Sequence, residues 1–391
     1  MTWSRKLPGD ITSAPTVPSE ESIVKSCRAS LFVLCVVTAA ACSDSSPSAP
    51  GTPGGSTALS APTPSSPADA AQLSTLRPTL VVTNAASGQS GAKVYEFQVS
   101  DRSDYAAASS ATIAPFTVFA NQTSVPEGAG GTTSFTPGAD LQPATRMYWR
   151  SRVTQGTTTS DWSATRTFNS QIVGFSQAGA LYDPLTASTT IGTPIGSTTF
   201  VAGRGIKINT EDAYVRYQLL TTISNGEMSV EVEGLYGNGP GGKLKILSMF
   251  DGTGNLYASR YLFNVQYRGL DGNPDNSISF KALFGDEDLK FEPDFNQRAA
   301  SVMSLNPART YFWKATWGSE VRVVIQDGRG GPTIYNLGLP ADGTYAPVPH
   351  YAYLGASRPP GEETGSWPGA IYRNLWIGSS PRPLTLGNAV N

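Results

Sequence analysis

The segment 226–234 reads Gly-Glu-Met-Ser-Val-Glu-Val-Glu-Gly. Glu227, Ser229, Glu231 and Glu233 occupy one set of alternate positions, and Met228, Val230 and Val232 the other. That period of two predicts a strand with one apolar and one polar face. Carboxylates that share a strand face are what retaining glycoside hydrolysis uses, with nucleophile and acid/base about 5 Å apart. Glu231 and Glu233 are therefore catalytic candidates. Ser229 stands where an unbroken acidic series would need a carboxylate, so a solvated strand face is the favoured reading. His350 is the only histidine and lies in Pro349-His350-Tyr351-Ala352-Tyr353. Proton abstraction from a uronate sugar needs a base, here His350, and an amide or guanidinium to neutralise the carboxylate. Gln266 and Arg268, flanking Tyr267 on a predicted strand, offer those groups. A lone histidine among aromatic residues is more often structural. The chain has no Gly-x-Ser-x-Gly elbow, so a Ser-His-Asp hydrolase would depend wholly on His350.

Two non-catalytic chemistries are also present. Asp271, Asn273 and Asp275 place oxygen ligands at every second residue, which suits Ca2+. Pro274 interrupts that series and no closing Glu follows, and clusters of this composition are chiefly turns. No other cofactor is expected, and a single histidine excludes a multi-histidine metal site. Tyr351 and Trp367 fall in Pro/Gly-rich loops, where ring faces can stack on the C–H faces of a sugar. Arg268 is the hydrogen-bonding candidate beside them. Trp313 and Trp376, on predicted strands, read as core.

The composition says what must position these groups. The chain has 391 residues, 15% charged, with 40 Gly and 29 Pro. Lys and Glu are scarce, and β-branched and aromatic residues plentiful, which predicts an all-β protein with many turns. A net charge of −2 with no basic stripe excludes general nucleic-acid binding. The three cysteines, Cys27, Cys35 and Cys42, all precede residue 43. Lys25 and Arg28 lead into an apolar run over 31–41 that is shorter than the ~20 residues of a membrane-spanning helix. This basic, apolar, small-residue order is that of an export signal. Its end, Ala39-Ala40-Ala41-Cys42, resembles a bacterial lipoprotein signal, which implies lipidation at Cys42, loss of 1–41, and contact with a membrane only through that anchor. Cleavage near Ala41 without lipidation is the alternative. The expected location is the outer membrane or cell surface. Residues 42–68, rich in Pro, Ser, Gly and Thr, cannot bury enough apolar surface to order themselves and read as a tether.

Residues 69–170 show strands over 76–82, 94–99, 147–153 and 165–168, separated by turn signals, which predicts a sandwich. Tyr148-Trp149-Arg150-Ser151-Arg152-Val153 followed by Ser160-Asp161-Trp162-Ser163 resembles fibronectin type III domains of bacterial surface proteins. That resemblance implies an immunoglobulin-like sandwich acting as a spacer or adhesion module.

Residues 171–380 carry further strands over 226–234, 243–250 and 260–267. A hairpin of 310–317 and 321–325 ends at Asp327-Gly328. The Gly203-Arg204-Gly205 turn, the Asp212-Ala213-Tyr214-Val215 strand, Leu354-Gly355 and Gly369-Ala370-Ile371 follow in an order that resembles the laminin-G-like, concanavalin A-type lectin and glucanase domains. The resemblance implies a larger jelly-roll sandwich whose concave face binds carbohydrate or another surface ligand. Tyr311-Phe312-Trp313-Lys314-Ala315 is similar to a Tyr-Phe-Lys-Ala segment of alginate lyases, with Trp313 inserted so that the register of Lys314 is flipped. Residues 381–391 read as a tail. The expected function is carbohydrate or surface-ligand binding without catalysis. A polysaccharide-degrading enzyme, lyase before hydrolase, is the first alternative, and a structural adhesion spacer the second.

Overall fold

The computed structural model describes residues 58–106, 113–236, 243–251, 261–268, 277–285, 298–302, 305–341, 343–356 and 364–390. Cys42, Asp271, Asn273 and Asp275 lie outside the described residues. Gln266 and Arg268 are placed on the strand Tyr261–Arg268 by their backbone alone. Among the described residues the regular structure is all β apart from one 3-10 turn at Ala129–Gly131.

The first sandwich pairs two sheets. One holds Thr63–Ser66, Leu80–Thr83 and Thr132–Phe135 in that order. The other runs Ala71–Gln72, Arg166–Asn169, Arg146–Gln155, Lys93–Ser100 and Phe119–Pro126, with Thr158–Thr159 closing a hairpin onto Arg146–Gln155. Successive strand side chains point to opposite faces. The alternation of Tyr95, Phe97 and Val99 with polar neighbours therefore sends those three inward, as it does Met147, Trp149 and Val153. They meet Leu80, Val82, Leu141 and Phe168 in one core. Each such side chain contributes about 1.5–3 kcal/mol by leaving water. This is the immunoglobulin-like arrangement of fibronectin III domains. Its first strand, Thr63–Ser66, falls inside the stretch expected as tether. It has few apolar side chains; its backbone pairs with Leu80–Thr83 and Pro64 is buried. Ladder hydrogen bonds order it, a contribution that composition does not display.

The second sandwich is larger. One sheet runs Phe175–Gln177, Ala180–Asp183, Ile371–Gly378, Gly226–Glu233, Tyr311–Trp317, Glu320–Gln326 and Thr333–Pro340. The hairpin Thr198–Val201 with Gly205–Ile208 pairs with Ile371–Gly378. Gly205 sits at φ 137°, and a Cβ there would lie 2.1 Å from the Tyr372 carbonyl oxygen, so only glycine permits this approach. The facing sheet runs Thr193–Ile195, Tyr214–Gln218, Tyr351–Leu354, Lys243–Phe250, Tyr261–Arg268, Ser277–Phe284 and Arg298–Val302, with Thr364–Ser366 parallel to Lys243–Phe250. Neighbours distant in sequence and strands that cross between sheets make a jelly roll of concanavalin A type. Met228, Val230 and Val232 point into its core, with Trp313, Trp317, Ile246, Val265 and Phe280.

Trp367 departs from the expectation of a surface ring. It is 0% exposed within this core, edge-on to Tyr236 at 5.1 Å, so no ligand can stack on it. The loop around it is turned inward because an indole gains more by burial than Pro/Gly composition suggests.

Residues 381–390, expected as a tail, fold back across the outer face of the sheet that contains Gly226–Glu233. They end against the first sandwich: Thr385 donates to Asp101, Gln142 donates to Thr385, the Arg146 amide donates to Asn388, and the Ala389 amide donates to the Ala144 carbonyl. Leu386 and Val390 join Ala144, Tyr182 and Trp376 in a separate apolar cluster.

Candidate functional site

The site is built on the outer face of Gly226–Glu233. Because Met228, Val230 and Val232 enter the core, Glu227, Ser229 and Glu231 project outward. Strand register sets their neighbours. Gln326, Phe312, Glu231 and Arg373 form one cross-strand row, and Lys314, Ser229 and Trp376 the next. Side chains directly opposite across a ladder have Cβ atoms about 4.5–5.5 Å apart, close enough to interact.

A break in the ladder shapes the row. Pairing of Gly226–Glu233 with Ile371–Gly378 shifts register between Ser229 and Glu231. Asn374 sits at this bulge with φ 54°. Asparagine is among the few non-glycine residues that adopt this left-handed region readily. Its side-chain Nδ2 donates to Glu231 Oε1 at 3.1 Å, and its side-chain Oδ1 accepts the Tyr182 hydroxyl at 2.7 Å. Arg373 Nε donates to the other Glu231 oxygen at 2.9 Å.

The folded-back segment roofs this face. Arg382 Nη1 donates to the Asn374 carbonyl at 3.0 Å, and its Nη2 and Nε donate to the Leu386 carbonyl. Arg382 Nη1 also lies 4.0 Å from Glu231. Arg329, just beyond Glu320–Gln326, donates to the carbonyls of Pro383, Leu384 and Leu386. Glu227 Oε1 accepts the Ser229 hydroxyl at 3.0 Å and the Arg382 amide at 3.3 Å. Between roof and sheet is a cleft of about 640 Å³, within the roughly 300–1,000 Å³ of small-molecule sites. Lys314, Gln326, Arg329, Arg373, Phe312 and Glu227 line it.

Burial and the Arg382 charge hold Arg329 down to about 10. Burial also pulls Arg382 below the usual guanidinium range, against the opposing pull of Tyr182, Glu231 and Glu227. Desolvation raises the Tyr182 phenol.

Glu231 and Glu233 are on the same side of one strand but not in one site. Glu231 faces the cleft, while Glu233 pairs with Arg204 at 2.6 Å and accepts from Thr310. Nor is the polar face solvated: Glu231 is 8% exposed, because the chain's own end covers it. Each Glu231 oxygen accepts one hydrogen bond, from Arg373 and from Asn374, which fixes the carboxylate against the sheet.

His350 is elsewhere, next to Tyr351–Leu354 in the other sheet. It is 2% exposed; Nδ1 accepts the Ile223 amide at 3.4 Å, and the Tyr345 ring stands edge-on at 5.3 Å. Burial depresses it to about 4. A base shut away from solvent and from the cleft abstracts no substrate proton. Tyr351 is half-buried on the outer face of that sheet, beside Tyr353 and beneath Arg216 at 5.7 Å. No group of three or more metal-binding side chains occurs among the described residues.

Sequence reasoning overlooked Arg329, Arg373, Arg382 and Gln326 as site residues. The outward direction of Phe312 and Lys314 was available, since both alternate with the core residues Trp313 and Ala315. Arg382 carried no such signal, because 381–390 has no period to read.

No protein-family model matches the chain, and no curated protein matches it. Among solved structures it is similar to the exoplasmic/lumenal domain of VIP36. The Ca2+/Man2-bound form is 10% identical, covers 52% of this chain and 88% of that one, and gives a TM-score of 0.34. The Ca2+-bound form is 10% identical over 54% and 93%, with a TM-score of 0.33. The chicken CNTN1 FN1-FN3 domains are 9% identical over 72% of this chain and 68% of that one, with a TM-score of 0.17.

Proposed function

We propose that the larger sandwich binds carbohydrate in the roofed cleft without catalysing its breakdown, and that the first sandwich serves as its spacer. The observation that carries this reading is the cleft itself. Amide, ammonium, guanidinium and carboxylate groups line it beside one aromatic ring, Phe312. Polyhydroxyl ligands are oriented by such directional groups. A glycan array probed with the protein tests the reading: retention lost on Gln326→Ala and Lys314→Ala supports it, and no retention on any glycan removes it.

One observation favours a second reading, a polysaccharide-degrading enzyme: Glu227 and Glu231 share one wall of the cleft. Glu231 is held through both oxygens by Arg373 and Asn374, and Glu227 through Oε1 by Ser229 and the Arg382 amide. Binding without turnover accords better with that arrangement. New reducing ends or unsaturated uronates released from polysaccharides, and abolished by Glu227→Gln, would reverse the choice.

The same proposal places the protein outside the cytoplasm, held to a membrane by lipid on Cys42. The support is the order of basic, apolar and small residues before Cys42. Cys42→Ser is expected to shift the protein from the membrane fraction to the soluble fraction.

A further inference from the structure

We infer that the cleft is selective for anionic polysaccharides, those bearing carboxylate or sulfate groups; the inference rests on the reading of the cleft as a carbohydrate site. Four cationic side chains line the cleft, Lys314, Arg329, Arg373 and Arg382, against the two carboxylates Glu227 and Glu231. The chain as a whole has a net charge of −2, so this local excess runs against the global balance.

The pairing leaves the excess uncompensated. Glu231 is bound to Arg373 at 2.9 Å and shared with Arg382 at 4.0 Å. Asp327, close to Arg329 in sequence, is paired with Arg309. Arg329 donates to backbone carbonyls of the roof and to no carboxylate. Lys314 has no ion-pair partner among the described residues, and its neighbours across the ladder are Ser229 and Val324.

Arg329 and Arg382 also converge on one acceptor. Arg329 Nη1 reaches the Leu386 carbonyl at 2.8 Å, and Arg382 Nη2 reaches the same oxygen at 2.9 Å. Two like charges are thus held close together in a partly desolvated place, where charge interactions exceed those in water. A neutral sugar does nothing for that repulsion. An anionic substituent within reach of Lys314 and Arg329 offsets it and gains charge-assisted hydrogen bonds.

The experiment is affinity electrophoresis of the protein in gels containing polygalacturonate (carboxylate), dextran sulfate (sulfate) or neutral mannan and xylan. It is repeated at ~50 and ~500 mM NaCl, where screening separates charge-driven from neutral binding. Lys314→Gln removes one cleft charge. Arg77→Gln removes one charge on the exposed rim of the first sandwich and controls for diffuse attraction. Thermal melts confirm that both variants fold.

The expected result is retention by an anionic polymer that fades at high salt and weakens roughly tenfold or more in Lys314→Gln, as loss of a charge-assisted bond predicts, with Arg77→Gln unchanged. Preference for polygalacturonate or for dextran sulfate identifies which anion is read. Equal, salt-insensitive retention by the neutral polymers overturns this inference and leaves carbohydrate binding standing. Equal weakening by both variants overturns it as well, since the attraction is then not that of the cleft. Retention by no polymer overturns both readings.

Discussion

Thr385 donates its hydroxyl to Asp101 at 2.7 Å and thereby joins the end of the chain to the first sandwich. Around that bond, Leu386 and Val390 pack with Ala144, Tyr182 and Trp376. The segment that roofs the cleft thus helps to couple the two sandwiches, together with the Phe116–Phe175 ring contact and the Gln177 bond to the Ala114 carbonyl. Removing 381–391 is expected to expose Tyr182 and Trp376 and to cost about 3–6 kcal/mol from Leu386 and Val390 alone. Urea unfolding, dye binding to exposed apolar surface and a larger radius of gyration in X-ray scattering check this. An unchanged radius of gyration would mean that other contacts couple the sandwiches.

Arg382→Met keeps the bulk of the side chain but takes the guanidinium donor from the Asn374 backbone carbonyl, leaves Leu386 with Arg329 alone, and removes the positive charge 4.0 Å from Glu231. Breaking a buried charge contact from one side costs about 3–5 kcal/mol. The loss is read from denaturant midpoints, and ligand retention should fall with it, because the roof carries one wall of the cleft.

Asn374 separates backbone from side-chain effects. Asn374→Gly keeps the positive φ and loses the bonds to Glu231 and Tyr182. Asn374→Ala loses those bonds and adds about 1–2 kcal/mol of left-handed strain. The alanine variant is therefore expected to be the less stable of the two in thermal melts, and equal stabilities would argue against strain at the bulge.

His350 provides a pH test. Its ordinary value of 6.5 falls to about 4 in the folded protein because burial penalises the charged ring. Between those values the unfolded chain holds a proton that the folded chain does not, so stability declines as pH falls from 6.5 towards 4. Over that window the loss approaches about 3 kcal/mol. Since the chain has no second histidine, His350→Gln should flatten the upper part of this profile, measured by urea unfolding from pH 7 to pH 5.

Trp367 and Tyr351 should behave oppositely. Trp367→Ala opens a core cavity and costs about 3–5 kcal/mol. Tyr351→Ala, at a half-buried outer position, should cost clearly less. Paired thermal melts check the ranking.

The alternation of Met228, Val230 and Val232 with Glu227, Ser229 and Glu231 made the inner and outer faces of one strand legible, because a strand's side-chain period is local. The same logic revealed Tyr95, Phe97 and Val99 as core and the hairpin around Trp317. Composition announced an all-β chain, and turn residues marked where strands stop. What lies over a face is not local. The burial of Glu231, the inward turn of Trp367 and the seclusion of His350 depend on segments far away in sequence. Thr63–Ser66 and 381–390 have no apolar period, since backbone ladders and single buried groups such as Arg382 hold them. Residue order alone thus determined two β-sandwiches and the polar strand face. Only the tertiary structure decided that the chain's end would roof that face, gather Lys314, Arg329 and Arg373 around it, and leave the cleft with more positive than negative charge.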